Sequence, residues 1–213
     1  MKKKIAVAVS LLLVLALSVG GTIAWLTDSE TVTNTFTIGN VDITLGETTG
    51  PNYKFVPGKT LAKDPKVTVI AGSEKCYVFV KAVESNVSVT VTEGENGETK
   101  QVTKGFSDFI TYKIDDAAGK WNQLKDADDN AVDGVFYQVV TPNKKGESDT
   151  DLYILTDTLT TDEKTGSVTV NGTVTKDMVD RLGATELSLT FNAYAIQYEG
   201  TGTAFEAWKL LNQ

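Results

Sequence analysis

The residues best placed to do chemistry form one acidic run, Asp126-Ala127-Asp128-Asp129-Asn130. Oxygen ligands at alternate positions suit a hard cation such as calcium. An EF-hand loop starting at Asp126 needs glycine at its sixth place and glutamate at its twelfth. Those places hold Ala131 and Tyr137. Asp126, Asp128 and Asn130 therefore stand as candidates for a nonstandard calcium loop, against the simpler reading of a solvated acidic turn. Histidine is absent from the chain. That removes the commonest general base and metal ligand, and with them any Ser-His-Asp triad or HExxH helix. G-x-S-x-G and the Asp-Thr-Gly and Asp-Ser-Gly signatures are also missing. Carboxylates are numerous, but no spacing pairs two of them for acid–base work. The single cysteine, Cys76, lies in Lys75-Cys76-Tyr77-Val78-Phe79-Val80. That strand pattern makes it a small buried hydrophobe rather than a reactive thiol. No glycine loop cradles a phosphate, so no cofactor is implied and no enzyme activity is expected. A formal net charge of −8 argues against a nucleic-acid partner.

Strands must carry these residues. Threonine and valine are abundant and only 4 prolines occur, a composition that favours pleated structure. Alternation of apolar and polar residues runs through 31–45, with a change of phase at Gly39-Asn40 that marks a bulge or turn. Further strands are predicted at 66–71, at 76–83 (nearly continuous apolar, hence central), and at 86–92 with a hairpin through EGENG to Thr103. Others are expected at 109–114, 135–141, 152–155, 168–174 and 187–197. Thr175 is placed to cap a short helix ended by Gly183. Ala204, Phe205, Trp208 and Leu211 fall at helical spacing, as a flap over the core. Nine or so short strands without a repeating helical partner give an all-β sandwich with short helical insertions. Trp121, Trp208 and the Tyr194/Tyr198 strand face read as packing residues, with a sugar-stacking platform as the sharper alternative.

The amino-terminus is organised differently. Lys2, Lys3 and Lys4 precede the uncharged run IAVAVSLLLVLALSV at 5–19, then Gly20, Gly21 and the triplet Thr22-Ile23-Ala24. This is the layout of a secretory leader cut between Ala24 and Trp25; an uncut membrane anchor is the alternative. The expected organisation is a leader at 1–24 and one β-sandwich domain at 25–213, with 25–45 as its amino-terminal strand region. Loss of the three lysines takes the formal charge from −8 to −11.

After that junction, the residues GGTIAWLTDSETVTNTFTIGNVDITL resemble the amino-terminus of the TasA/camelysin family of Gram-positive bacteria. The positions that carry the resemblance are Ala24, Trp25-Leu26, Thr27-Asp28, Phe36, Gly39, Ile43 and Leu45. Val56-Pro57-Gly58-Lys59, Val67-Thr68-Val69 and the closing LSLTFNAYAIQ at 187–197 fit as well. The middle, about 93–185, does not align by eye. The resemblance implies a jelly-roll or immunoglobulin-like β-sandwich, export through a dedicated signal peptidase, and a secreted biofilm-matrix or cell-surface role. It also implies fibre assembly, in which the freshly cut amino-terminal strand completes a neighbour's sheet. Some relatives are called metalloproteases, a label that a chain without histidine does not support.

The expected function is thus a structural subunit that polymerises with copies of itself, and with other secreted matrix proteins as further partners. Trp25, Leu26, Val32, Phe36 and Ile38 are the anchors of its assembly strand. A free strand carries unpaired backbone groups that add to an open sheet edge. The alternative is a monomeric cell-surface module that binds a glycan or a protein.

Overall fold

The computed structural model of the chain describes residues 37–38, 40–49, 55–95, 98–156, 166–183 and 185–212. Thirteen strands and three short helices are formed there. The all-β, sandwich-like architecture agrees with the sequence pattern, although the strands outnumber the nine or so expected.

The principal sheet has five strands: β1 (Thr37–Ile38), β13 (Leu189–Gln197), β5 (Cys76–Glu84), β10 (Ala131–Val140) and β9 (Asn122–Lys125), in that spatial order. Its centre, β5, is buried on both faces from Cys76 to Val80. Side chains of successive residues point to opposite faces of a strand. Cys76, Val78 and Val80 therefore enter the main core with Val67, Val69, Ile43, Trp121, Ala193 and Ala195. Tyr77 and Phe79 enter a second core under the last helix. This double burial accounts for the continuous apolar run.

The opposing layer consists of two three-stranded sheets. One is β11 (Thr150–Tyr153), β4 (Lys66–Val69) and β2 (Ile43–Gly46); the other is β3 (Thr60–Lys63), β12 (Gly166–Val170) and β8 (Ile110–Tyr112). Val41 and Ile43 are buried and Leu45 packs against the same core, so the parity after the phase change at Gly39-Asn40 faces inward. A hairpin of β6 (Val89–Glu95) and β7 (Glu98–Lys104) covers a smaller core of Val87, Val89, Val91, Phe109, Val174 and Met178.

Several expected boundaries move. Residues 109–114 do not form one strand. Phe106–Phe109 is a single helical turn, α1, and the strand begins at Ile110. The Gly105 N–H donates to Asp108 Oδ2 at 2.8 Å, and Phe106 and Phe109, three apart, are both buried. Three-residue spacing puts them on one helical face. The strand expected at 168–174 runs instead as Gly166–Val170, with the turn at Asn171-Gly172. β3 and β9 escape the sequence reading because each has only four residues and little alternation. The two later helices form as expected. α2 (Lys176–Leu182) is capped by Thr175, whose Oγ1 accepts from Met178 N at 3.3 Å, and is closed by Gly183. α3 (Ala204–Leu211) starts from a capping box in which Thr203 and Glu206 each accept the other's backbone N–H. It lays Ala207 and Trp208 on the second core.

Cys76 is fully buried, and burial pushes its thiol up from 9.0 to about 12. Tyr112 shifts in the same direction, first through burial and then through Glu84, whose carboxylate accepts its hydroxyl at 3.0 Å. Groups whose folded values are raised contribute stability that is complete below the unfolded value and is lost as pH rises through the folded one. Stability should therefore fall from about pH 9 toward pH 12. Cys76→Ala should flatten the first part of that fall, read as urea midpoints at pH 8 and pH 10.5. A parallel decline in variant and wild type would remove the thiol from the account.

Candidate assembly edge

A β-sheet ends in two edges with unpaired backbone groups, and proteins blunt them with short strands, charges or proline. Among the described residues the principal sheet ends at β9, which is short and carries Lys125. β7 is longer but bears Glu98, Lys100 and Lys104. β11 has four residues including Asp151. β13 is different. Its nine residues, LTFNAYAIQ, hold no charge and no proline. One side of β13 pairs with β5 along its whole length. On the other side, the pairing among the described residues is β1, which runs parallel with Thr37 opposite Ala195 and Ile38 opposite Ile196. At 189–193 no further strand lies on that side among the described residues.

Of the assembly residues named from sequence, Ile38 falls in β1. Trp25, Leu26, Val32 and Phe36, together with the Ala24–Trp25 junction, lie outside the described residues. What sequence reading missed is the edge itself. The closing strand was recognised, but not that it would border the segment that precedes it by some 150 residues. An uncharged nine-residue run near the end of the chain was the available signal.

The acidic run lies in the β9–β10 connection. Asp126 Oδ1 accepts the backbone N–H groups of Asp128 and Asn130, each at 2.9 Å, and Asp126 N donates to Asn130 O at 2.8 Å. The hydrogen bond from Asn130 leads the causes that lower the Asp126 carboxyl below its usual value. Asp129, at φ 66°, pairs with Lys125 at 2.9 Å. Asp126 thus serves as the turn's internal acceptor, and Asp128 and Asn130 are exposed. Millimolar calcium should leave the thermal midpoint unchanged; a rise of several degrees would restore the loop as a cation site.

The aromatic residues pack on one another. Trp208 meets Phe79 at 5.3 Å and Tyr194 edge-on at 5.3 Å. Tyr198 meets the Tyr77 ring at 4.9 Å and the Lys75 ammonium at 3.7 Å. Trp121 is 1% exposed and donates its indole N–H to Tyr153 O at 2.7 Å.

A family model described as camelysin metallo-endopeptidase matches residues 1–153. The chain belongs to the camelysin family. The match runs through the amino-terminal motif and across the first part of the middle region, and ends at the last residue of β11. No curated protein and no solved structure matches the chain. The family's description implies a metal, so the donor set decides whether a camelysin of this sequence can hold one. Zinc sites are built from histidine, cysteine and carboxylate ligands. This camelysin-family chain has no histidine, and its cysteine is buried in the main core. Among the described residues no three His, Cys, Asp or Glu side chains converge. The described residues do not present the donor set of a catalytic zinc. No helix among the described residues is long and apolar enough to cross a membrane.

Proposed function

We propose that the chain is a secreted structural subunit of the cell surface or extracellular matrix, and that it polymerises by β-strand addition rather than acting as a protease. Residues 1–24 are its leader, cut after Ala24, and residues 25–213 form the working domain. Copies of itself are the main partner, with a dedicated signal peptidase acting during export. The observation that carries this reading is the placement of Thr37–Ile38 as the outermost strand of the principal sheet among the described residues. Twelve residues separate the expected cut from Thr37, a length that spans roughly 40 Å when fully extended. That is enough to lie along a neighbouring subunit. Family membership supports the surface setting, and the donor set weighs against proteolysis.

Purified protein beginning at Trp25 should form filaments visible by electron microscopy. Deletion of residues 25–36 should abolish them while leaving the circular dichroism and urea midpoint of the core nearly unchanged. Filaments of equal yield from the shortened protein would end the strand-addition reading. Neither form should cleave casein, with or without added zinc; cleavage abolished by a chelator would return the chain to the peptidases.

A further inference from the structure

A cleft of about 480 Å³ is lined from three elements: β11, β10 and the loop that joins β8 to β9. Small-molecule sites span about 300–1,000 Å³ and are lined mostly by apolar side chains. This wall is polar instead, built from Asp115, Lys120, Gln138, Asp151 and Tyr153. Asp115 is only 6% exposed, and a buried carboxylate is costly unless it is paired. Lys120 Nζ meets it at 2.5 Å, and the Ala117 N–H donates to it at 3.4 Å. Gln138 stands opposite Val78 of the main core. Residues directly opposite share one face of a sheet. Its neighbours on that face, Phe136 and Val140, pack into the same core. A half-buried amide thus interrupts an apolar row at the wall of the cleft. The charges cancel around it. Asp115 pairs with Lys120, and Asp151 with Lys66 Nζ at 2.6 Å. Asp151 also accepts the Thr68 hydroxyl at 2.6 Å. An entering ion would meet no surplus of either sign among these groups. A carboxylate offers about four acceptor sites, and an amide both donates and accepts. The matching chemistry is a neutral ligand whose groups donate and accept at once. Saccharide hydroxyls do so, whereas a peptide would also bring apolar side chains, for which the cleft offers Leu152 alone.

We propose that this cleft binds a neutral saccharide, with Gln138, Asp115 and Asp151 as its hydrogen-bonding groups and Lys120 fixing Asp115 in place. The aromatic residues weighed for sugar stacking from the sequence pack in the cores, so the site lies elsewhere than expected. A secreted subunit with such a site would hold a surrounding polysaccharide as well as its own copies. That setting rests on the secreted reading above; the binding itself does not rest on strand addition.

Titration calorimetry on the protein beginning at Trp25 reads the binding directly. Maltose, cellobiose and N,N′-diacetylchitobiose are the probes, and at least one should bind saturably with a Kd of about 1 mM or tighter. Gln138→Leu should weaken that binding about tenfold, the loss expected when a ligand hydroxyl finds no partner. Leucine suits the apolar neighbours of residue 138, so the urea midpoint should hold or rise. Asp151→Asn keeps the shape of a more exposed wall residue and should weaken binding about threefold. It guards against failure of the first variant to fold. Glucuronate and glucosamine, one acidic and one basic, should bind no tighter than glucose. Saturable binding of none of the three disaccharides, or binding that both variants leave unchanged, would overturn the proposal. So would a charged monosaccharide held about tenfold tighter than glucose. If deleting residues 25–36 spares filaments while the sugar still binds, strand addition falls and the saccharide site stands.

Discussion

Trp121→Ala should remove about 3–5 kcal/mol of stability, the range for truncating a large aromatic residue in a packed core. The indole is 1% exposed and sits in the main core with Ile114, Ile154, Leu155 and Val140. Its loss leaves a void among groups drawn from both layers of the sandwich. It also strips a hydrogen bond from the Tyr153 carbonyl at the end of β11. An acceptor that loses its partner in a part-buried place adds about 0.5–1.5 kcal/mol. Small domains have only about 5–15 kcal/mol in total, so the variant should sit close to unfolding at room temperature. Trp121→Phe separates the two contributions, because it retains most of the ring and loses the donor. Its cost should be about 1–2 kcal/mol. Urea midpoints of the three proteins decide the matter, and a Trp121→Ala midpoint equal to wild type would contradict the core placement.

Gly134→Val should be nearly as damaging. Gly134 lies inside β10 at φ 66°, where the pairing of β10 with β9 changes register between Ala131 and Phe136. Gln123 bridges the irregularity, donating to the carbonyls of Val132 and Val135 at 2.8 and 3.0 Å. A Cβ on residue 134 would stand 2.5 Å from the Ala82 carbonyl oxygen of β5. That atom belongs to the backbone of the central strand and cannot swing aside. Left-handed backbone costs a β-branched residue about 1–3 kcal/mol, and the forced displacement a similar amount. Gly119 supplies the control, since it holds φ 83° in an exposed turn with nothing within 4 Å of an added Cβ. Gly119→Val should cost only the conformational part, about 1–3 kcal/mol. Equal losses at the two positions would mean that backbone conformation, and not the contact with β5, sets the penalty.

Much of this architecture could be read from the chain because particular residues obey local rules. The two-faced burial of β5 announces itself as five consecutive apolar residues, Cys76 to Val80. Thr175 and Gly183 bracket a helix that forms between them. Val41, Ile43 and Leu45 keep the inward parity that alternation assigned them. The failures arise where distant contacts outweigh local pattern. Asn122-Gln123-Leu124-Lys125 carries no strand signal and is held extended by β10. Phe106 looks like the approach to a strand until Asp108 caps the turn that buries it. The acidic run offered cation chemistry on paper. In three dimensions the Asp126 carboxylate is turned onto its own backbone. The border formed by β13 was the least legible feature, since it depends on a neighbour at the other end of the chain.

The position of β13 in the principal sheet also governs when the fold can be completed. Tyr77 lies opposite Ile196, so the central strand waits for a partner more than a hundred residues downstream. Pairings between such remote segments form slowly, and partly made sheets expose sticky borders meanwhile. A chain delivered from its amino-terminus cannot complete its principal sheet until β13 is available. Up to that moment β5 keeps one unmatched side, and the arrival of β13 is the step that lets the layer set.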